Sequence, residues 1–141
     1  MDFEKEFNEI MTGQTEIALA TCADGHPNVR IVNFCCGEPL KGVIYFSSFQ
    51  DNSKIKEFQI NPEVAFTSIP KEGNSHVRVR NGKVQKSSRT IYDLKDAFIK
   101  KIPDYAMTIE EFGEALVLFE LHFREADVVG DLGNIGSIVL S

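Results

Sequence analysis

Apolar and polar residues along the chain follow two periods, and each predicts a different kind of element. Phe3, Phe7 and Ile10 recur at spacings of four and three with acidic residues between them, so residues 2–11 read as an amphipathic helix packing by one face. From residue 15 the pattern changes to short β-rich runs. TEIALATC (15–22), VRIVNFCC (29–36), VIYFSS (43–48), EVAFTSI (63–69), SHVRVRNGKV (75–84) and EALVLFELHF (114–123) give six expected strands. ADGHPN joins the first two, with Asp24-Gly25 and Pro27 as turn chemistry for a hairpin with a slightly long loop. Asn81-Gly82 is a tight-turn signal inside the fifth run. In the last run Leu116, Leu118, Glu120 and His122 alternate with Val117, Phe119, Leu121 and Phe123, apolar enough for burial on both faces.

Two further helices interrupt the strands. Asn52 caps the first, Ile55 and Phe58 supply its buried stripe, and Pro62 forces the chain extended after barely two turns. Residues 88–101 form the second, with Ile91, Leu94, Phe98 and Ile102 on one face and Pro103 as its stop. GDLGNIG (130–136) does not match GxGxxG and has no room for a following helix, so it reads as a terminal turn. Short strands joined mainly by tight turns predict a mainly β, antiparallel barrel or sandwich, one domain over 1–141, and not βαβ units.

Composition narrows the function. With 141 residues, 43% hydrophobic and 26% charged, the chain is of ordinary globular type. Its net charge of -6 argues against a nucleic-acid or anionic-membrane surface, which needs a broad basic face, so any anion site is local. No apolar run approaches the roughly 20 residues of a membrane span, MDFEKEFNEI lacks the pattern of a secretory signal, and the expected location is the cytoplasm. Cys22, Cys35 and Cys36 form no CxxC pair or metal array and read as reduced, structural residues; on a strand, Cys35 and Cys36 face opposite ways. His26, His76 and His122 make no metal cluster, and with no HExxH or Ser/His/Asp arrangement no residue is assigned a catalytic role.

One stretch carries chemistry. FSSFQDNSKIKEFQINP places Lys54 and Lys56 in the first turn of the Asn52-capped helix, where the partly positive helix end disfavours cations unless an anion shares the space. Ser47 and Ser48 add hydroxyl donors, and Arg30, on an otherwise apolar strand, needs a partner if it is buried. Hydroxyl donors, backbone donors and fixed cations are what a phosphate requires. The plainer reading, a solvated arginine tip and ordinary surface lysines, stands beside it.

The order IALATCADGHPNVRIVNF, VIYFSS, NSKIKEFQINPEVAF resembles the FMN-binding split-barrel family whose namesake is pyridoxamine 5'-phosphate oxidase. The likeness runs from about Phe7 to Leu140 and is densest from Ile17 to Phe66. It implies an antiparallel six-stranded split β-barrel of Greek-key type. It assigns Arg30, Lys54, Ser47 and Ser53 to the FMN phosphate and the backbone of Ile31, Val32 and Asn33 to the isoalloxazine ring, with Phe46 and Ser48 completing the cofactor set. It also implies a homodimer with flavin at the interface, the partner contributing from strands where His76, Arg78 and Arg80 share a face. A solvated charged face is the other reading of those three. The namesake's tryptophan and arginine-histidine cluster are missing: there is no Trp, and the chain ends GDLGNIGSIVLS, which speaks against pyridoxamine phosphate oxidation. Two functions stay open. One is an FMN-dependent oxidoreductase passing electrons from reduced nicotinamide to a small organic acceptor, whose pocket draws on Val77–Arg80 and Ile102–Met107. The other is a protein that stores or senses flavin without turnover.

Overall fold

In the computed structural model, which describes residues 2–37 and 41–140 and the backbone alone of Ser53, the first helix, α1, spans Phe3–Gly13. Asp2 caps it by accepting the Lys5 N–H at 3.2 Å, and Glu4 and Glu6 sit favourably in its first turn. The strands that follow are β1 (Glu16–Ala23), β2 (His26–Asn33), β3 (Cys35–Cys36) and β4 (Val43–Phe49). Then come α2 (Ser53–Ile60), β5 (Glu63–Ser68), β6 (His76–Lys86), α3 (Lys95–Lys101), α4 (Tyr105–Phe112), β7 (Leu116–His122), β8 (Glu125–Val129) and β9 (Ile135–Val139).

All strand pairs are antiparallel, in the order β2-β1-β5-β6-β7-β4-β3. β2 and β3 are one stretch of chain interrupted at Phe34, so the sheet begins and ends on the same stave. β2 pairs with β1, whereas β3 pairs with β4. The ring therefore has the six expected staves and a split between β2 and β4, and β8 and β9 form a hairpin on the edge of β6. That hairpin departs from the sequence expectation, in which the strands ended at Phe123. GDLGNIG is a turn, as read, but it joins two strands: Gly130 N–H bonds Asn134 O at 2.7 Å, and Val129 pairs with Ile135.

Two other turn signals resolve differently. The β1–β2 connection is a two-residue turn, with Ala23 opposite His26 and positive φ at Asp24 (53°) and Gly25 (78°), as primed hairpin turns require. Pro27 lies within β2, tolerated because that stave is an edge. Conversely, Asn81-Gly82 makes no turn: β6 continues through it, with a register shift against β5 between the Val64–Gly82 and Phe66–Val79 pairs. A Cβ at Gly82 would lie 3.0 Å from Leu121 and 3.3 Å from Val64, so glycine serves close approach of three strands there.

The barrel core is aromatic. Phe119 meets Phe46 and Phe58 toward α2, while Phe123, four residues along, meets Phe7 of α1 and Phe66 toward the other end. β7 is buried on both faces as expected, because Phe119 and Leu121 enter the barrel and Leu118 enters a second cluster outside it. That cluster holds Cys35, Ile91, Leu94, Phe98, Tyr105 and Ile109. The expected helix over 88–101 is shorter, only Lys95–Lys101 being α-helical, with turns over Ile91–Leu94. Pro103, read as a stop, also precedes α4, which the sequence reading did not include.

Lys101, at the end of α3, is buried at its tip. Its Nζ sits 3.4 Å from the centroid of the Phe34 ring and has no hydrogen-bond partner. Burial pulls its pKa down to about 8, with Lys71 adding to the effect and Cys36 and Cys35 opposing it. Unfolded chains then bind more protons than folded ones between about pH 8 and 10.5, so this group's penalty is full at pH 7 and fades as pH rises through that window. Replacing Lys101 with Met is expected to raise unfolding free energy by roughly 1–2 kcal/mol at pH 7, with the gain shrinking toward pH 10. Urea denaturation of both proteins across pH measures it; a loss of stability at pH 7 would contradict the account.

Candidate functional site

The split in the barrel leaves a cleft of about 370 Å³ between β2 and the end of β4. Ile31, Val32 and Asn33 wall one side, Ser47, Ser48 and Phe49 another, and Asn52 and Lys54 bring in the start of α2. The α3–α4 corner closes it with Ile102, Asp104, Tyr105 and Thr108. Asn52 caps α2 as expected, its Oδ1 accepting the Lys54 N–H at 3.0 Å. At the other end Asn61 accepts from Glu63 N–H and donates to Cys22 O, tying the helix to β1.

The two lysines of α2 part company. Lys56 is exposed, whereas Lys54 is buried to 8% exposure, and among the described residues no carboxylate lies within ion-pair distance of it. Burial, and after it the neighbouring Arg30 guanidinium, lower its pKa, against a pull from Glu57 in the other direction. Ser48 is also buried, and its Oγ has no hydrogen-bond partner.

Arg30 is not among the residues lining the cleft. Strand alternation turns Ile31 and Asn33 outward and Arg30 inward, where its Nη2 meets both oxygens of Glu57 at 2.7 and 3.0 Å. Thr21 Oγ1 donates to the same carboxylate at 2.7 Å and Asn28 Nδ2 at 3.2 Å. The expectation of an arginine awaiting an external partner is thus half met: Glu57 occupies Nη2, while the buried Nη1 bonds nothing. Desolvation works to raise the Glu57 pKa, but the bonds from Thr21, Arg30 and Asn28 outweigh it and hold it below its ordinary value.

Of the other expected residues, Phe46 belongs to the core. It is fully buried and stacked on Phe119 at 5.5 Å, because its alternation with Ser47 sends it into the barrel. The side chain of Ser53 lies outside the described residues. Ile102 to Met107 contribute as anticipated, through Ile102, Asp104 and Tyr105, but Val77 to Arg80 do not reach the cleft. Tyr105 shares a short hydrogen bond with Ser47 Oγ and stacks on Phe98 at 4.7 Å. Its pKa is raised by burial, with the Ser47 bond opposing, so it stays a neutral phenol. Its place was visible in the spacing Tyr105, Ile109, Phe112, a helical stripe beyond Pro103.

None of the three histidines lines the cleft. His122 bonds Glu120, His76 bonds the Asn74 carbonyl, and His26 sits exposed beside the hairpin turn. Among the described residues no group of His, Cys, Asp and Glu is arranged to hold a metal ion. Arg78 and Arg80 are exposed, Arg80 reaching Asp127 at 3.6 Å.

Glu57 fastens α2 to β1 and β2, so Glu57→Gln is expected to cost roughly 1–3 kcal/mol of stability at pH 7. A depressed carboxylate stabilises above its ordinary pKa, and that contribution disappears as pH falls through the folded value. The difference between the two proteins in denaturant melts should therefore shrink in acid; a difference independent of pH would show that charge plays no part.

No curated protein matches the chain in sequence. Among solved structures, the heme binding protein of Mycobacterium smegmatis superposes with a TM-score of 0.76 at 13% identity over 99% of this chain. Campylobacter jejuni ChuZ does so at 0.73 and 21% over 96%, and a FAD-binding protein of Mesorhizobium loti at 0.64 and 17% over 87% of this chain and 89% of its own. The chain spans only 58% of the length of each of the first two. Identities this low establish the fold alone, the split barrel. The model of the pyridoxamine 5'-phosphate oxidase-like family matches residues 10–135, nearly the whole chain, and to that family this protein belongs.

Proposed function

We propose that the cleft binds FMN, that two copies of the chain close over it, and that the protein is a flavin-dependent oxidoreductase reducing a small organic acceptor with electrons from reduced nicotinamide. The observation that carries the reading is the set of unpaired donors in and behind one wall of the cleft. Lys54 is buried without a carboxylate in reach, Ser48 Oγ lines the same wall without a bond, and Arg30 Nη1 lies unbonded close enough to depress Lys54. Arg30, Lys54 and Glu57 together leave one net positive charge, and a phosphate monoester of about −1.5 to −2 is the complement that would relieve it. Ile31, Val32, Ile102 and Leu116 also line the cleft and supply apolar surface suited to a flat ring. When bound, the flavin supplies the hydride and electron chemistry. The chain's part is to grip the phosphate, orient the ring along Ile31–Asn33 and exclude water.

Relatives named for heme and for FAD raise the choice of cofactor. Heme iron takes His, Cys, Met or Tyr as its axial ligand. No His, Cys or Met lines this cleft, and the hydroxyl of Tyr105 is engaged by Ser47, which favours the flavin.

Titration of the purified protein is expected to give FMN binding much tighter than riboflavin, and Lys54→Ala should weaken FMN by roughly 1.5–3 kcal/mol. Equal affinity for the two flavins would sink the assignment. Anaerobic addition of reduced nicotinamide to the FMN-loaded protein should bleach the flavin; persistence of the oxidised spectrum with every donor and acceptor pair would favour storage or sensing.

The second copy is proposed from the edge stave. Val29 and Ile31 on the outward face of β2 are 64% and 60% exposed, and Phe49 and Phe112, paired edge-to-face at 5.8 Å, are exposed near the same cleft. Ile31→Glu should convert a sedimenting dimer to monomer and weaken FMN in the same variant. Wild-type protein that is monomeric at micromolar concentration with FMN bound would refute the dimer.

A further inference from the structure

A second cleft, about 670 Å³, lies on the opposite side of α2 and shares only Leu116 with the first. It follows from the topology. β5 begins at Glu63 opposite Lys83, while β6 continues to Lys86, so the last residues of β6 have no neighbour on that side. The Val84 N–H turns to the Pro62 carbonyl at 2.9 Å, and α2 roofs the gap without filling it.

Its floor is apolar. Phe58, Val84 and Phe119 are almost fully buried, and Phe58 packs edge-on to Phe119 at 5.3 Å. Its rim is basic: Lys86 and Arg89 stand there, and no aspartate or glutamate lines the cleft, in a chain whose net charge is -6. Among the described residues neither cation is in an ion pair. The nearby acid, Glu120, is committed elsewhere, bonding the Ser87 hydroxyl, Gln85 and His122. Ser87 Oγ also accepts the Arg89 N–H at 3.1 Å, so one buried hydroxyl fixes the turn that carries both cations.

We propose that this cleft binds a small amphipathic monoanion, a medium-chain or aromatic carboxylate whose apolar body lies on Phe58, Val84 and Phe119 and whose charged end meets Lys86 and Arg89. The volume falls within the range of about 300–1,000 Å³ typical of small-molecule sites. A neutral apolar ligand leaves the two cations unused, and a phosphate without a body leaves the apolar floor wet. The inference stands independently of the flavin reading, since it uses none of the residues assigned there.

The probe is 8-anilinonaphthalene-1-sulfonate, titrated fluorimetrically into the protein and then displaced by decanoate or by decanol. One saturable site is expected, weakened at least tenfold in the double variant Lys86→Ser, Arg89→Ser, with near-ultraviolet circular dichroism unchanged. Decanoate should displace the probe at concentrations at least tenfold below those of decanol, and excess FMN should leave the probe bound. Unsaturable binding, equal potency of acid and alcohol, or an unaffected double variant would overturn the proposal. So would displacement by FMN, which would put the probe in the first cleft, or a double variant that changes the sedimentation of the protein and not its probe affinity, which would make the rim a contact between copies.

Discussion

The arrangement depends on one stave of the barrel changing partners. From His26 to Asn33 the chain pairs with β1, and from Cys35 it pairs with β4. Phe34 cannot serve both, so its N–H bonds the Thr15 carbonyl and its side chain goes into the core. Backbone groups in a closed sheet pair with neighbours on both sides, and a stave that switches leaves β2 and β4 adjacent without a ladder. What neither hydrogen bonds nor side chains fill is left open. The cleft is that space, and the exposed Val29 and Ile31 are the outward face of the same unpaired edge.

Charge at the cleft is governed by a competition for Arg30. Its guanidinium lies behind the wall, held by a carboxylate that is itself saturated with donors from Thr21 and Asn28. This arrangement reduces two neighbouring cations to a net charge of one, which lets Lys54 stay folded in a buried position. A residual unpaired Nη1 remains, beside a lysine that burial and the same guanidinium depress. Removing Glu57 would therefore act on stability and on anion affinity in opposite senses. The pair settles the charge of the barrel wall at the expense of one unpaired guanidinium nitrogen.

Much of this was legible in the sequence because it is local. The period-two runs give all six staves, and the Asn52 cap with Pro62 gives α2. Ile31, Val32, Asn33, Ser47, Ser48 and Lys54, singled out from the sequence, line one cleft. What escaped is non-local. Nothing within the run around Arg30 announces that Glu57, 27 residues away, will take its Nη2. The identity of Phe46 as core and Ser47 as site depends on which face of β4 turns inward, a choice that alternation alone leaves open. Asn81-Gly82 carries the strongest hairpin dipeptide in the chain, and tertiary crowding by Val64 and Leu121 overrode it. β8 and β9 were missed because a glycine-rich turn near the end of the chain reads as a terminus until the strand beyond it finds a partner.

Because α2 is the wall common to both clefts, its position has consequences beyond either. Lys54 faces the smaller one, while Ile55 and Phe58 face the larger, and the helix is only eight residues long. So short a helix has little stability of its own and takes its position from its anchors: the Glu57 network, the Asn61 bonds to β1 and β5, and Phe58 against Phe119. Of these anchors, Phe58 and Phe119 line the larger cleft, while the Glu57 and Asn61 bonds tie the helix to the barrel behind both. A ligand that needs α2 displaced works against the anchors on the far side, and by linkage the far ligand feels the same free energy in return. A short helix that walls both clefts and is positioned by its anchors thus couples whatever displaces it at one cleft to the shape of the other.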